Sequence, residues 1–205
     1  MNIGVDIDNT LTDIDRDLFE AAYKYTKRKY ANFTKPEFVK YDGKSDVVQF
    51  YSSIFNWDEN DMHQFFREDR IKIVDNAKAR KNAAEVIKKL KDEGNNIYVI
   101  TARTSKFDDR PYDRAKEWLD KNDIVYDKLV IGAIDKVATC KELNVSIFID
   151  DQLNQCINLA KNGICTIRFS NSNEKYKEFV SISNWKDVYS YILNIKEEDI
   201  KWKKV

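Results

Sequence analysis

Apolar and polar positions alternate in two different regimes along this chain. A short apolar run, Ile3 to Val5, leads straight into Asp6-Ile7-Asp8-Asn9-Thr10. A run of that length bounded by turn formers predicts a buried strand ending at Asp6. Ile14, Leu18, Ala21, Ala22 and Tyr25 then recur at helical spacing up to about Tyr30. Pro36 and Gly43 punctuate the stretch that follows. Ser45 is the expected cap of a second helix carrying Val47, Val48, Tyr51, Ile54 and Phe55. Asp58 is the expected cap of a third, with Met62, Phe65 and Phe66 inside it.

From Ala77 the regime changes to helices alternating with strands. The spacing predicts a helix through Ala83, Ala84, Ile87 and Leu90, stopped by Gly94. Asn96 to Thr101 reads as a buried strand, and Asp109 and Pro111 as the entry to a helix with Ala115, Trp118 and Leu119. Strands are expected at 128–132, 145–150 and 164–169, with helices at 135–143 and 152–162 between them. Asn184 is expected to cap a last helix through Val188, Ile192 and Leu193. The end, Lys196 to Val205, is charged with one Trp and reads as a loose tail or a docked edge.

This order predicts an α/β fold: a doubly wound, Rossmann-like parallel sheet with helices on both faces. Residues 1–13 and 76–205 are assigned to that core, and residues 14–75 to a small helical cap subdomain inserted after the first strand. At 205 residues the chain has room for one full core with such an insert. In doubly wound sheets ligands bind beyond the carboxyl ends of the strands. Three predicted strands end tellingly, at Asp6, at Thr101 and at Asp150-Asp151.

Composition narrows the function classes. Lys and Arg balance Asp and Glu at 35 each, which argues against an extended nucleic-acid surface but leaves room for a local phosphate pocket. No apolar run approaches the roughly 20 residues of a membrane span. No signal peptide precedes the first strand, and a cytosolic protein is expected. Cys140, Cys156 and Cys165 form no Cys-x-x-Cys pair and are expected to be reduced, mostly buried thiols.

The strand ends carry the candidate chemistry. Four carboxylates at one sheet edge repel one another unless a cation sits among them, and hard oxygen ligands favour magnesium. Carboxylates, magnesium and a lysine suit phosphoryl transfer. Thr101 and the backbone N–H of Ala102 can hold phosphate oxygens, and Lys136 can neutralise both phosphate and carboxylates. One carboxylate can attack phosphorus while another, two residues on, moves protons. Arg103 reads either as a phosphate or substrate ligand or as an ion-pair partner of Asp108 or Asp109. Asp13 is expected to cap the first helix, or else to touch metal or substrate, and Asp150 and Asp151 to cap the helix near Gln152. Lys128 and Lys141 rival Lys136. His63, the sole histidine, is expected on the cap surface or in its core.

Val5-Asp6-Ile7-Asp8-Asn9-Thr10-Leu11 resembles the first motif of the haloacid dehalogenase-like (HAD) phosphohydrolases. Ile100-Thr101-Ala102-Arg103 resembles the second motif, Lys136 the third, and Phe148-Ile149-Asp150-Asp151 the fourth, in the same order. The resemblance implies that Asp6 is the nucleophile and Asp8 the general acid/base. It implies magnesium held by Asp6, the Asp8 backbone carbonyl and one of Asp150 or Asp151. Leu129 to Val137 and the Ile-Thr-Ala-Arg turn look most like 5′(3′)-deoxyribonucleotidases and their bacterial relatives. Some of that group carry Thr-Ser where this chain has Thr101-Ala102. The implied partner is a small phosphomonoester, a nucleoside monophosphate. Most of the dense aromatics Tyr41, Phe50, Tyr51, Phe55, Trp57, Phe65 and Phe66 are expected to form the core of the helical cap, with one or two facing the cleft to stack on a base. The alternatives are another small-metabolite phosphate, a nucleic-acid 3′-phosphate end, or a non-catalytic phosphate-binding protein of the same fold.

Overall fold

The computed structural model describes residues 1–41 and 43–195; the charged tail from Lys196 lies outside them. The sheet has six strands, all parallel, in the order β3-β2-β1-β4-β5-β6. They span Asn2–Val5, Asn96–Ile100, Lys128–Val130, Ile147–Asp150, Cys165–Phe169 and Val180–Ile182 in chain order. β1 lies in the middle. Its successors β2 and β3 build outward on one side and β4 to β6 on the other, so the crevice where the order reverses opens directly beyond Val5. Register aligns the ends: Val5 pairs with Val99 on one side and Ile149 on the other. Asp6, Thr101 and Asp150 therefore collect at one edge.

The doubly wound expectation holds, because both sheet faces are covered. α5 (Ala83–Asp92), α6 (Pro111–Lys121) and α9 (Trp185–Asn194) pack Leu90, Trp118 and Trp185 on one face. α7 (Lys136–Glu142) and α8 (Leu153–Lys161) pack Cys140 and Leu159 against Phe148 on the other. The central strands carry apolar runs, Ile3 to Val5, Ile97 to Ile100 and Ile147 to Ile149, as expected of parallel strands covered on both faces, while β3, β5 and β6 include Lys128, Arg168 and Ser181. Gly4 is needed for the fit of β1 on β4: a Cβ there would lie 2.4 Å from the buried Phe148 ring. All three cysteines are buried.

Between β1 and β2 every described regular element is a helix. α1 (Asp15–Lys29), α2 (Val47–Phe55), α3 (Glu59–Gln64), a π-helical turn (Phe65–Asp69) and α4 (Arg70–Asn76) share an apolar cluster of their own. Tyr51, Phe55, Trp57, Phe65 and Phe66 fill it, Phe50 is half-buried against it, and Tyr41 packs edge-on against Phe50. The Trp57 indole N–H donates to Thr26 Oγ1 at 2.8 Å, which satisfies its one polar atom.

Several local expectations differ. α2 is capped by Asp46 and not Ser45, because the Asp46 carboxylate reaches two backbone N–H groups, of Val48 and Gln49. Asp13 does not cap α1: Ile14 holds that position, and Asp13 is exposed and paired with Arg80. Asp109 is exposed and plays no capping part at α6. The preceding Asp108 takes the Arg110 N–H instead. α8 begins after Gln152 without a side-chain cap. β6 has no counterpart in the sequence reading. Asp58 and Asn184 do cap their helices. No described helix is long and apolar enough to cross a membrane.

Candidate active site

The loop after β1 builds the first half of the site. Asn9 adopts a left-handed backbone, φ 60°, and the N–H groups of Leu11 and Thr12 turn back onto the Ile7 carbonyl. Asn9 side-chain atoms then bind Ile14 N–H and Asp15. Arg80 grips the Asn9 carbonyl from below. The turn separates two aspartates that a continued strand would keep on one face. Asp6 stays buried at the sheet edge, with its N–H on the Ile149 carbonyl. Asp8 leaves the sheet and is 22% exposed.

Asp6 faces a cluster. Lys136 Nζ, 1% exposed, donates to Asp6 Oδ1 at 2.8 Å and to Asp150 Oδ2 at 2.5 Å. Burial alone would drive the lysine toward neutrality, but the charges of Asp150 and Asp6 outweigh it and raise its pKa. Lys128 and Lys141 are both exposed and take no part. Asp150 also accepts from Gln152 N–H at 2.9 Å. One oxygen each from Asp6, Asp150 and Asp151 lie within 4.8 Å of one another. Asp151 Oδ1 is buried and has no hydrogen-bond partner. Burial and the neighbouring carboxylates push the Asp6 and Asp151 carboxyls upward. Three carboxylates facing one lysine, with a buried oxygen left over, fit a divalent cation taking oxygen ligands.

Asp8 lives in the opposite field. Arg103 holds it through two bonds, Nη2 to Oδ1 at 2.6 Å and Nε to Oδ2 at 3.0 Å. Arg70, at the start of α4, reaches the same Oδ2 at 3.1 Å. Burial would raise the Asp8 carboxyl, but the two guanidinium groups, Arg103 foremost, hold it down at about 2. Arg103 thus pairs with neither of its expected partners, Asp108 or Asp109; Asp108 is taken by Arg114. A fork-shaped guanidinium matches a carboxylate two-fold, and Asp8 sits in front of the fork.

Thr101 is buried at the end of β2, its carbonyl bound by Ala133 N–H and its hydroxyl 3.4 Å from Arg103 N. Gly132 N–H donates to the Arg103 carbonyl. Thr101, the half-buried Ala102 and Arg103 therefore form a fixed wall. His63 lies away from this centre, with its ring against Phe107 and its Nε2 3.8 Å from Glu59. Arg70 and Asp15 were missed by the sequence reading. Arg70 stands in a charged run, Arg-Glu-Asp-Arg, that looks like any solvated helix face.

Residues 1–198 match the family model described as "5′ nucleotidase, deoxy (Pyrimidine), cytosolic type C protein". The chain belongs to this family. A nucleotidase of Clostridium acetobutylicum is 28% identical over 97% of this chain and 96% of its own length. Among solved structures, a HAD hydrolase from Entamoeba histolytica is 14% identical with a TM-score of 0.68, covering 99% of this chain and 98% of that one. A haloacid dehalogenase-like protein from Streptococcus pneumoniae is 13% identical with a TM-score of 0.65, covering 93% and 97%. These two show the shared fold. The family resemblance read from the four motifs is thus established, and the chain is a HAD-like phosphatase of nucleotidase type. Such phosphatases use a divalent metal, and the Asp6, Asp150 and Asp151 cluster is able to bind one.

The field around Asp8 gives a checkable result. Its folded pKa lies below the usual 3.8, so its stabilising contribution is present above pH 4 and is lost as pH falls toward 2. The shift corresponds to about 2 kcal/mol. Chemical denaturation of wild type and Asp8→Asn should show a gap whose pH-dependent part falls by about half between pH 6 and pH 3. A gap that stays flat over that range would show the arginines do not hold Asp8 ionised.

Proposed function

We propose that the protein is a magnesium-dependent 5′-nucleotidase that hydrolyses (deoxy)nucleoside monophosphates through an aspartyl-phosphate on Asp6. One observation carries this reading: two aspartates two residues apart stand in opposite fields, Asp6 among carboxylates beside Lys136 and Asp8 between two arginines. The two carboxyls are therefore not equivalent: a cation among Asp6, Asp150 and Asp151 would keep Asp6 ionised for attack, and Arg103 leaving Asp8 for the phosphate would let Asp8 carry a proton.

Asp6 attacks the phosphorus in line with the nucleoside oxygen. A new O–P bond forms at Asp6 as the ester O–P bond breaks, and Asp8, freed as Arg103 turns to the phosphate, takes up the proton of the phosphate monoanion and gives it to the leaving oxygen. Asp8 then takes a proton from water, whose oxygen attacks the phosphorus and frees Asp6. Lys136, Thr101 and the Ala102 N–H hold the phosphate oxygens, and Arg103 turns from Asp8 to the incoming phosphate. Asp6, Asp150 and Asp151, with the Asp8 carbonyl, would hold the magnesium, which supplies charge compensation for the phosphate. Residues 14–75 act as a cap over the core formed by 1–13 and 76–205. Arg70 supports this assignment, because it carries a contact from that helical layer to Asp8. The nucleotide preference is supported by the family match and by the Clostridium relative's name.

A panel of nucleoside monophosphates, sugar phosphates and an aryl phosphate tests the reading, run with magnesium, with calcium and with a chelator. Nucleoside monophosphates should exceed sugar phosphates at least tenfold in kcat/KM, with activity lost to chelator and restored by magnesium. Equal rates across the panel, or release indifferent to chelator, would overturn it.

A further inference from the structure

Beside the carboxylate cluster lies a cavity of about 200 Å³. Its walls come from two segments far apart in sequence. One is the connection between α1 and α2, which contributes Lys40 and Lys44. The other is the end of β5 and the loop after it, which contribute Arg168, Ser170, Ser172 and Glu174. Asp151 is the wall it shares with the proposed metal-binding carboxylates.

Arg168 decides what this cavity suits. The residue is 4% exposed, yet its Nη1 is buried without a hydrogen-bond partner. Its Nε is spent on the Asp151 carbonyl at 3.3 Å, and its guanidinium lies 5.9 Å from the Tyr176 ring centroid. The nearest carboxylate recorded for Nη1 is Glu174 Oε2 at 3.8 Å, beyond hydrogen-bond distance, and Glu174 is itself exposed and bonded to the Tyr176 hydroxyl. A buried guanidinium N–H left unpaired costs free energy that a ligand acceptor would recover. Lys40 and Lys44 are exposed lining residues with cationic side chains, Lys40 Nζ forming an ion pair with Asp15 at 4.0 Å. Three cationic side chains and the carboxylates of Asp151 and Glu174 thus line the cavity. Its volume falls below the roughly 300–1,000 Å³ of pockets that enclose a whole small molecule, so it suits a single group.

We propose that this cavity is an anion subsite that takes a second phosphate group carried on the substrate's leaving group. The nucleotidase reading supplies the reacting phosphate; the subsite adds a preference for nucleotides with another phosphate. Arg168 Nη1 donates to that group, and Lys40 and Lys44 close over it.

The test compares a nucleoside 5′-monophosphate with the matching nucleoside 3′,5′-bisphosphate, in wild type, Arg168→Gln and the double variant Lys40→Ala/Lys44→Ala. The bisphosphate should be favoured about tenfold in kcat/KM by wild type. That preference should vanish in both variants, with the monophosphate changed less than twofold. The double variant changes only exposed side chains and keeps the test alive if Arg168→Gln fails to fold. Calorimetry with inorganic phosphate gives an arm independent of turnover. Phosphate binding weakened tenfold in the double variant, without any bisphosphate preference, assigns the subsite to free phosphate and overturns the substrate-borne proposal. No preference and no change in phosphate binding overturns the subsite altogether, as does an equal loss for both nucleotides in both variants. If neither nucleotide is hydrolysed, the nucleotidase reading fails, and the calorimetric arm still decides the cavity.

Discussion

Asp6→Asn should abolish phosphate release, by on the order of 10⁴-fold or more for nucleotide and aryl phosphate alike, while leaving the protein as stable as wild type or more so. The two halves have one cause. Removing the proposed nucleophile would remove the covalent route, and the remaining groups would only bind. Burial disfavours charge on Asp6, and Asp150 and Asp8 add to the effect, so the carboxyl is held above its ordinary range despite Lys136. A group with a raised folded pKa costs stability as pH rises through the carboxylate range, because the folded state releases its proton reluctantly. Asn has the same shape and no charge, and its side-chain oxygen still accepts from Lys136 Nζ. The melting temperature of the variant should therefore overtake that of wild type as pH rises from 4 to 8. Stored instability at a reacting group is a usual cost of function. A variant that releases phosphate within tenfold of wild type, with a native melting profile, would move the nucleophile elsewhere.

How much of this was legible in the sequence depends on how far each signal reaches. The buried strands were readable because an apolar run is a local signal, and their polar last residues came with them: Asp6, Thr101 and Asp150 stand where β1, β2 and β4 end. Lys136 could be favoured over Lys128 and Lys141 only by its place in the motif order, and the structure separates the three by burial. β6 escaped because three half-buried residues at a sheet edge carry no periodicity. The π-helical turn escaped because its residues also fit a continuous helix. The ion-pair alternative for Arg103 names only nearby acids, because sequence reasoning favours near partners, whereas Asp8 lies 95 residues away. Arg70 meets the same Asp8 across 62 residues, through a contact that exists only once the helical layer has docked. The identity of Asp8's partners thus belongs to tertiary packing and not to any local pattern.

Lys136→Met should be the most destabilising single change at the site. The lysine is fully enclosed and bonded to Asp6 and Asp150, with Asp151 close behind them. Met fills a similar volume but leaves three buried carboxylates facing one another. Breaking a buried pair from one side costs about 3–5 kcal/mol, since the remaining charge is neither solvated nor paired. In a domain of this size that lowers the melting temperature by about 10 °C. The carboxylates can respond in two ways, and both are measurable. They can take up protons, so the variant's deficit should shrink as pH falls from 8 to 5, because the folded state then binds more protons than the unfolded chain. They can also take up a cation, so millimolar magnesium should restore more stability to Lys136→Met than it adds to wild type. Activity should not return with that stability, since magnesium cannot replace the ammonium proposed to hold the transferred phosphate. Denaturant titrations at two pH values, with and without magnesium, separate these outcomes. A loss below 1 kcal/mol, unaffected by pH and magnesium, would mean that the three carboxylates do not share charge through Lys136. The lysine contact to Asp6 would then be packing alone.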